Sequence, residues 1–119
     1  MIIKNQKNSI KITGNEDATI YDLLNPQHVE NKIRYSLAYV NLLHGKSTLS
    51  HIMKTSEVYY ILEGKGVLHI NNESENVTVG DTIFILPGSK QHIENVGSED
   101  LKFLCIVDPA WKKDNEIIL

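Results

Sequence analysis

The chain predicts an all-β fold, an antiparallel sandwich or barrel, and three observations carry that prediction. From residue 47 onward, short strand-like runs follow one another: STLSHIM, SEVYYILEG, GVLHINN, ENVTVG, TIFILPG, QHIENVG and LKFLCIVDP. Gly, Asn, Asp or Pro separates most of them at short intervals, the spacing of a meander. No window carries the apolar period of a long amphipathic helix.

At 119 residues the chain can build one substantial core but not two. One domain over 1–119 is therefore expected, with an N-terminal arm at 1–32, a barrel core at about 33–108 and a C-terminal tail at 109–119. A hydrophobic share of 41% is ordinary for a globular protein and excludes wholesale disorder. The net charge is −3 with no long run of one sign, which argues against nucleic-acid and anionic-membrane partners. The opening MIIKNQKNSIKITGNED has no apolar h-region, so a cytoplasmic protein is expected.

In chain order, Ile10 and Ile12 mark a short strand, and Gly14 to Asp17 is turn material. Asp17 or Thr19 can cap TIYDLLNP, where Ile20, Leu23 and Leu24 share a helical face and Pro26 ends the run. One short N-terminal helical segment is expected there. IRYSLAYVNLLHG alternates over Ile33, Tyr35, Leu37 and Tyr39 and reads as a strand stopped by Gly45. In LKFLCIVDP, Leu101, Phe103, Cys105 and Val107 share one face. Cys105 is the one cysteine, which excludes an internal disulfide, and on that face it reads as a small core residue. The tail PAWKKDNEIIL carries Trp111, Ile117, Ile118 and Leu119, enough apolar surface to wrap the barrel or another subunit.

The chemistry concentrates between Gly45 and Gly64, GKSTLSHIMKTSEVYYILEG. On a strand His51 and Met53 point the same way, and Glu57 joins them only if Lys54-Thr55-Ser56 turns. Further on, Gln91, Ile93 and Asn95 share one face and His92 and Glu94 the other. Apolar Ile93 makes the first face inward, so Gln91 enters the interior and His92 meets solvent. His69 lies opposite Leu68 and Ile70. It faces a second sheet, an interface or water if those two fill the core, and the cavity if the register is reversed. Glu57, a lone carboxylate in apolar surroundings, is the general acid/base candidate; burial would raise its pKa and a bound metal would lower it. Tyr59, with Tyr35, Tyr39 and Tyr60, reads as wall or core, and a cavity hydroxyl can orient a ligand.

With those residues in view, the chain resembles a small single-domain cupin. Gly45, His51, Met53, Glu57 and Gly64 stand at the spacings of the first cupin motif, with Met53 where a second His is usual. Gly80, Gly88 and Asn95 fit the second motif, with Leu86 beside Pro87 at the Pro position and Gln91 at the His position. The resemblance covers about Gly45 to Asn95. It implies a jelly-roll β-barrel, or double-stranded β-sandwich, with a ligand or metal site at one end of the interior.

The family's usual set of two or three His and one Glu suits Fe, Mn, Ni, Cu or Zn. Here the same positions supply His51, Met53, Glu57 and Gln91, one imidazole, one thioether, one carboxylate and one amide. A divalent metal (Mn, Fe, Ni or Zn) would be held by His51, Glu57 and Gln91. A ligand would meet Tyr59, Met53, Gln91 and His69, with Met53 as cavity wall and Glu57 as the catalytic group if there is turnover. The expected function is a small-molecule-binding cupin with a degenerate metal site. The alternatives are a metal-dependent isomerase, lyase or oxygenase on a small polar metabolite, and a purely structural dimerisation unit. A homodimer paired through a sheet is expected in each case.

Overall fold

The computed structural model describes residues 1–12, 17–29 and 32–119. Eleven strands are present among them: β1 (Ile10–Ile12), β2 (Ala18–Leu24), β3 (Ser36–Leu42), β4 (His51–Met53), β5 (Ser56–Glu63), β6 (Lys65–Ile70), β7 (Glu73–Thr78), β8 (Thr82–Ile85), β9 (Lys90–Asn95), β10 (Leu101–Asp108) and β11 (Glu116–Ile118). They form two antiparallel sheets, one ordered β1-β2-β3-β10-β5-β8 and the other β11-β4-β9-β6-β7. The inner faces share one core that includes Leu42, Met53, Ile61, Ile85, Ile93, Leu101 and Phe103.

The strands are antiparallel as expected, but they do not run as a meander. From β3 to β11 every connection except β6–β7 passes from one sheet to the other. Connection length is the physical reason at one of these crossings. Gly64 alone separates β5 from β6, and a hairpin needs at least two loop residues, so the chain turns a corner instead. Gly64 sits at φ 92°, and a Cβ there would lie 2.9 Å from the carbonyl oxygen of Asp100. Only glycine fits both demands.

Two local expectations are corrected. The segment TIYDLLNP is not helical. Residues 18–24 form β2, paired with β3 from Ala18↔Leu42 to Leu24↔Leu37, and the Tyr21 and Tyr39 rings pack across the strands at 5.8 Å. A free sheet edge and β-prone Thr19, Ile20 and Tyr21 outweigh a weak helical spacing. Helical geometry at the N-terminus is confined to a 3₁₀ turn at Gln6–Asn8, where Asn5 caps Lys7 N. In β3 the buried positions are Ser36, Val40 and Leu42. Leu37 and Tyr39 therefore lie on the outer face, and Tyr35 is exposed. Ser36 tolerates burial because its Oγ accepts from Trp111 N at 2.8 Å. The turn expected over Gly14 to Asp17 lies outside the described residues except for Asp17.

The tail closes on its own barrel. After a 3₁₀ turn at Lys113–Asn115, β11 pairs with β4, Glu116 against Met53 and Ile118 against His51. Trp111 packs on the core. Among the described residues, no helix is long and apolar enough to cross a membrane.

Candidate functional site in the barrel interior

The run from His51 to Glu57 changes sheets. β4 presents His51 and Met53 inward, the chain bends at Lys54 and Thr55, and β5 then carries Glu57 and Tyr59 on the inner face of the opposite sheet. On β9, Gln91 pairs with His51 on one side and Ile70 on the other, while Ile93 and Asn95 share its inward face. Glu57 and Gln91 thus meet across the sandwich from different sheets.

Their polar groups form one continuous set. Gln91 Nε2 donates to Glu57 Oε1 at 2.5 Å, and Tyr59 OH donates to Gln91 Oε1 at 2.9 Å. Cys105 on β10 donates its thiol to Glu57 Oε2 at 3.3 Å. Gln91 is 1% exposed and Glu57 4%, so these are interior hydrogen bonds in low dielectric. Burial pushes the Glu57 carboxyl above its usual range, while bonds from Cys105 and Gln91 and the nearby His51 pull it back. Burial first, then the charge of Glu57, pushes both the Tyr59 hydroxyl and the Cys105 thiol well up.

Four further residues belong to the same inward-facing positions of β4, β5 and β9 or the bend between β4 and β5. Thr55 continues the inward alternation two residues before Glu57, and its buried Oγ1 has no hydrogen-bond partner. An orphaned buried hydroxyl is costly and marks a place where a water or ligand oxygen fits. His51 bonds Leu49 O through Nδ1 at 2.8 Å, and its Nε2 lies 4.0 Å from Glu116 of the tail strand. Met53 is buried in the wall. Asn95 is a clamp: Nδ2 donates to Leu42 O and Glu99 O, and Oδ1 accepts from Gly97 N.

As they stand, His51, Glu57 and Gln91 do not fit a transition-metal ion. The set holds one imidazole, one carboxylate and one neutral amide oxygen, Glu57 and Gln91 are bonded to each other, and Met53 supplies only a thioether. One free imidazole nitrogen remains, and such ions ask for three or four N, O or S donors.

His69 is apart from this group. Leu68 is buried and Ile70 packs on the core, so His69 points outward from β6. There it stacks on His92 with ring centres 4.3 Å apart, and its Nε2 lies 2.5 Å from Glu94 Oε1. His69, His92 and Glu94 are the one grouping of three or more His, Cys, Asp or Glu among the described residues with ligand atoms all within 4.8 Å. Burial and the neighbouring His69 lower the pKa of His92. A surface concavity of about 300 Å³ lies elsewhere, lined by residues such as Ile2, Lys4, Leu23, Leu24 and Leu37.

Sequence reasoning did not single out Thr55, Glu116 or the bond from Cys105 to Glu57. Thr55 was recoverable, since it keeps the parity of Glu57 and Tyr59. The others depend on pairings between distant strands, Cys105 opposite Tyr59 and Glu116 opposite Met53, which no local pattern encodes.

The family model described as the cupin domain matches residues 38–107. An uncharacterized protein of Methanocaldococcus jannaschii is 39% identical over 120 residues, covering 99% of this chain and 95% of that protein. The oxalate-binding protein of Thermotoga maritima is 35% identical over 95 residues, covering 79% of this chain and 78% of that one. Among solved structures, the oxalate decarboxylase of Lactobacillus farciminis in its formate complex superposes with a TM-score of 0.83 at 20% identity. That match covers 95% of this chain but only 34% of the decarboxylase, so it speaks to the fold alone.

Proposed function

We propose that this chain, which belongs to the cupin domain family, binds a small polar molecule at the Glu57 end of its barrel. The observation that carries this reading is the buried hydrogen-bonded set of Glu57, Gln91 and Tyr59, with the unpartnered Thr55 hydroxyl two residues before Glu57 on the same strand parity. Buried polar groups cost stability unless they are partnered, and a ligand oxygen at Thr55 would complete the set. The 35% identity to an oxalate-binding protein makes a small carboxylic acid of the oxalate kind the ligand class to test.

The electrostatics constrain how such an acid binds. Among the described residues the buried polar and charged side chains include no Lys or Arg, so an incoming carboxylate would face Glu57 without a fixed Lys or Arg cation. Protonation of Glu57 removes that repulsion, and burial already moves its pKa in the required direction. Ligand uptake is therefore coupled to proton uptake. The interior group is also closed, with Met53 and Gln91 almost fully buried, so ligand entry needs a local opening of the barrel.

Calorimetric titration with oxalate in the presence of chelator tests this reading. Saturable binding that tightens as pH falls and is lost in Gln91→Leu supports it. A titration without heat, together with an unchanged thermal midpoint for a panel of small carboxylates, rejects it.

Turnover at the same group is the second reading, favoured by the raised pKa of buried Glu57. Glu57→Gln separates the two, because binding survives the exchange whereas proton transfer by Glu57 does not. The assembly we propose is a homodimer through the outer face of the six-stranded sheet. Leu37, Ile106, Val58 and Phe84 stand in cross-strand register there, beside a second row of Tyr21, Tyr39, Leu104 and Tyr60.

A further inference from the structure

The outer face of the five-stranded sheet carries a cluster that the barrel interior does not use. His69 on β6 is directly opposite His92 on β9, and Glu94 follows two residues later on the same face. The strand period of two sends all three side chains out of paired backbone in one direction. Their ligand atoms lie within 4.8 Å of one another.

Each imidazole is oriented by a hydroxyl from a different strand or connection. His69 Nδ1 bonds Ser74 Oγ at 2.7 Å, from β7, and His92 Nδ1 bonds Ser50 Oγ at 3.3 Å, just before β4. Both bonds run through Nδ1; His69 Nε2 bonds Glu94 Oε1, and a bound ion would take the place of that contact. A His whose other ring nitrogen is tied to an outer partner is how proteins prepare imidazole for a metal. An ion pair between His69 and Glu94 would need only one of the two hydroxyls and no second ring.

We infer that His69, His92 and Glu94 form a surface site for an imidazole-preferring divalent transition metal, with Zn²⁺ as its best probe. Two imidazoles and one carboxylate suit Zn²⁺ and its neighbours, whereas Mg²⁺ and Ca²⁺ demand sets dominated by oxygen. The stacked rings are nearly parallel, at 10°, so binding turns them until both lone pairs converge on the ion. Partial exposure of His69 and Glu94, at 27% and 42% of their side chains, permits that rotation and leaves a fourth position for water or a second ligand. The site lies on the opposite face of β9 from Gln91 and does not depend on what the barrel holds.

Calorimetric titration of the untagged, chelator-treated full chain with Zn²⁺ tests the inference. The expected result is one Zn²⁺ per chain, lost in His69→Ala and in Glu94→Gln, and retained in His51→Ala. Ser74→Ala should keep the stoichiometry and weaken binding by about tenfold, the lower end of the usual effect of an outer partner. Circular dichroism confirms that each variant is folded, and Co²⁺ absorption reads the geometry where Zn²⁺ heat is small. Absence of saturable Zn²⁺ and Co²⁺ uptake at micromolar protein overturns the site and leaves an ion pair with a stacked ring. Undiminished stoichiometry in a His69→Ala/His92→Ala double variant also overturns it, since the ion would then sit elsewhere.

Discussion

Gln91 holds the carboxylate of Glu57 across the sandwich, its Nε2 2.5 Å from Oε1, although 34 positions separate the two residues. The amide does two jobs without a titratable proton. It donates to Glu57 and accepts from Tyr59, and it neither gains nor loses a proton. Gln91 thus serves as a neutral bridge between the two sheets.

That bridge should be measurable as stability. Tyr59→Phe leaves the amide oxygen of Gln91 buried without a donor, at an expected cost of about 1–3 kcal/mol. Gln91→Leu orphans the Tyr59 hydroxyl and also removes one of the two donors to Glu57, so it should cost more. Urea unfolding of both single variants and the double variant checks this. The double variant should lose less than the sum of the singles, because both act on one hydrogen bond.

The raised pKa of Glu57 gives a pH signature with a definite sign. Between the ordinary carboxylate value of 4.5 and the higher folded value, the native state keeps a proton that the unfolded chain has released. Stability supplied by this group therefore falls as pH rises through that window, and is constant on either side. Glu57→Gln removes the titration. Compared by urea unfolding at a series of pH values, the variant should gain on the wild type from acid towards neutral pH and then hold a constant difference.

Cys105 should be chemically silent while the protein is folded. Its thiol is buried, donates to Glu57, and is pushed well above its ordinary pKa by burial and by that carboxylate. Reactivity needs the thiolate and access, and both are denied. Labelling by a chromogenic disulfide reagent should be stoichiometric in denaturant. In native buffer it should proceed no faster than global opening, and rapid native labelling would contradict the described environment of Glu57.

Much of this barrel could be read from local pattern. Gly45, Gly64, Gly80 and Gly88, which carry the two motif spacings, are the glycines with positive φ among the described residues, so backbone geometry explains why those positions are glycine. The parity of β9 was legible too, because Ile93 fixes which face is inward. β3 misled because its inner face is made by Ser36, Ala38, Val40 and Leu42, while the larger Leu37 and Tyr39 lie outside. An apolar residue can serve an outer face, and alternation alone does not say which face is the core. Glu57 and Gln91 were each singled out, but their bond depends on a sheet-to-sheet crossing that strand periodicity does not contain.

The outer face of β3 leads to a prediction about assembly. Its outward Leu37 continues through Ile106 and Val58 to Phe84 across four hydrogen-bonded strands, and Phe84 remains 61% exposed. Ile106 and Tyr60 on the same face are also exposed, at 42% and 44%. A contiguous apolar sheet face of this kind marks an interaction surface, since scattered exposed residues would not align in register. A second copy of the chain would cover it with an identical patch about a two-fold axis. Light scattering at micromolar concentration should give the mass of a dimer. Phe84→Lys should shift the protein to monomer with little loss of unfolding free energy per chain, because this side chain packs outside the core. A wild-type monomer, or a dimer indifferent to both Phe84→Lys and Ile106→Lys, would place the interface elsewhere.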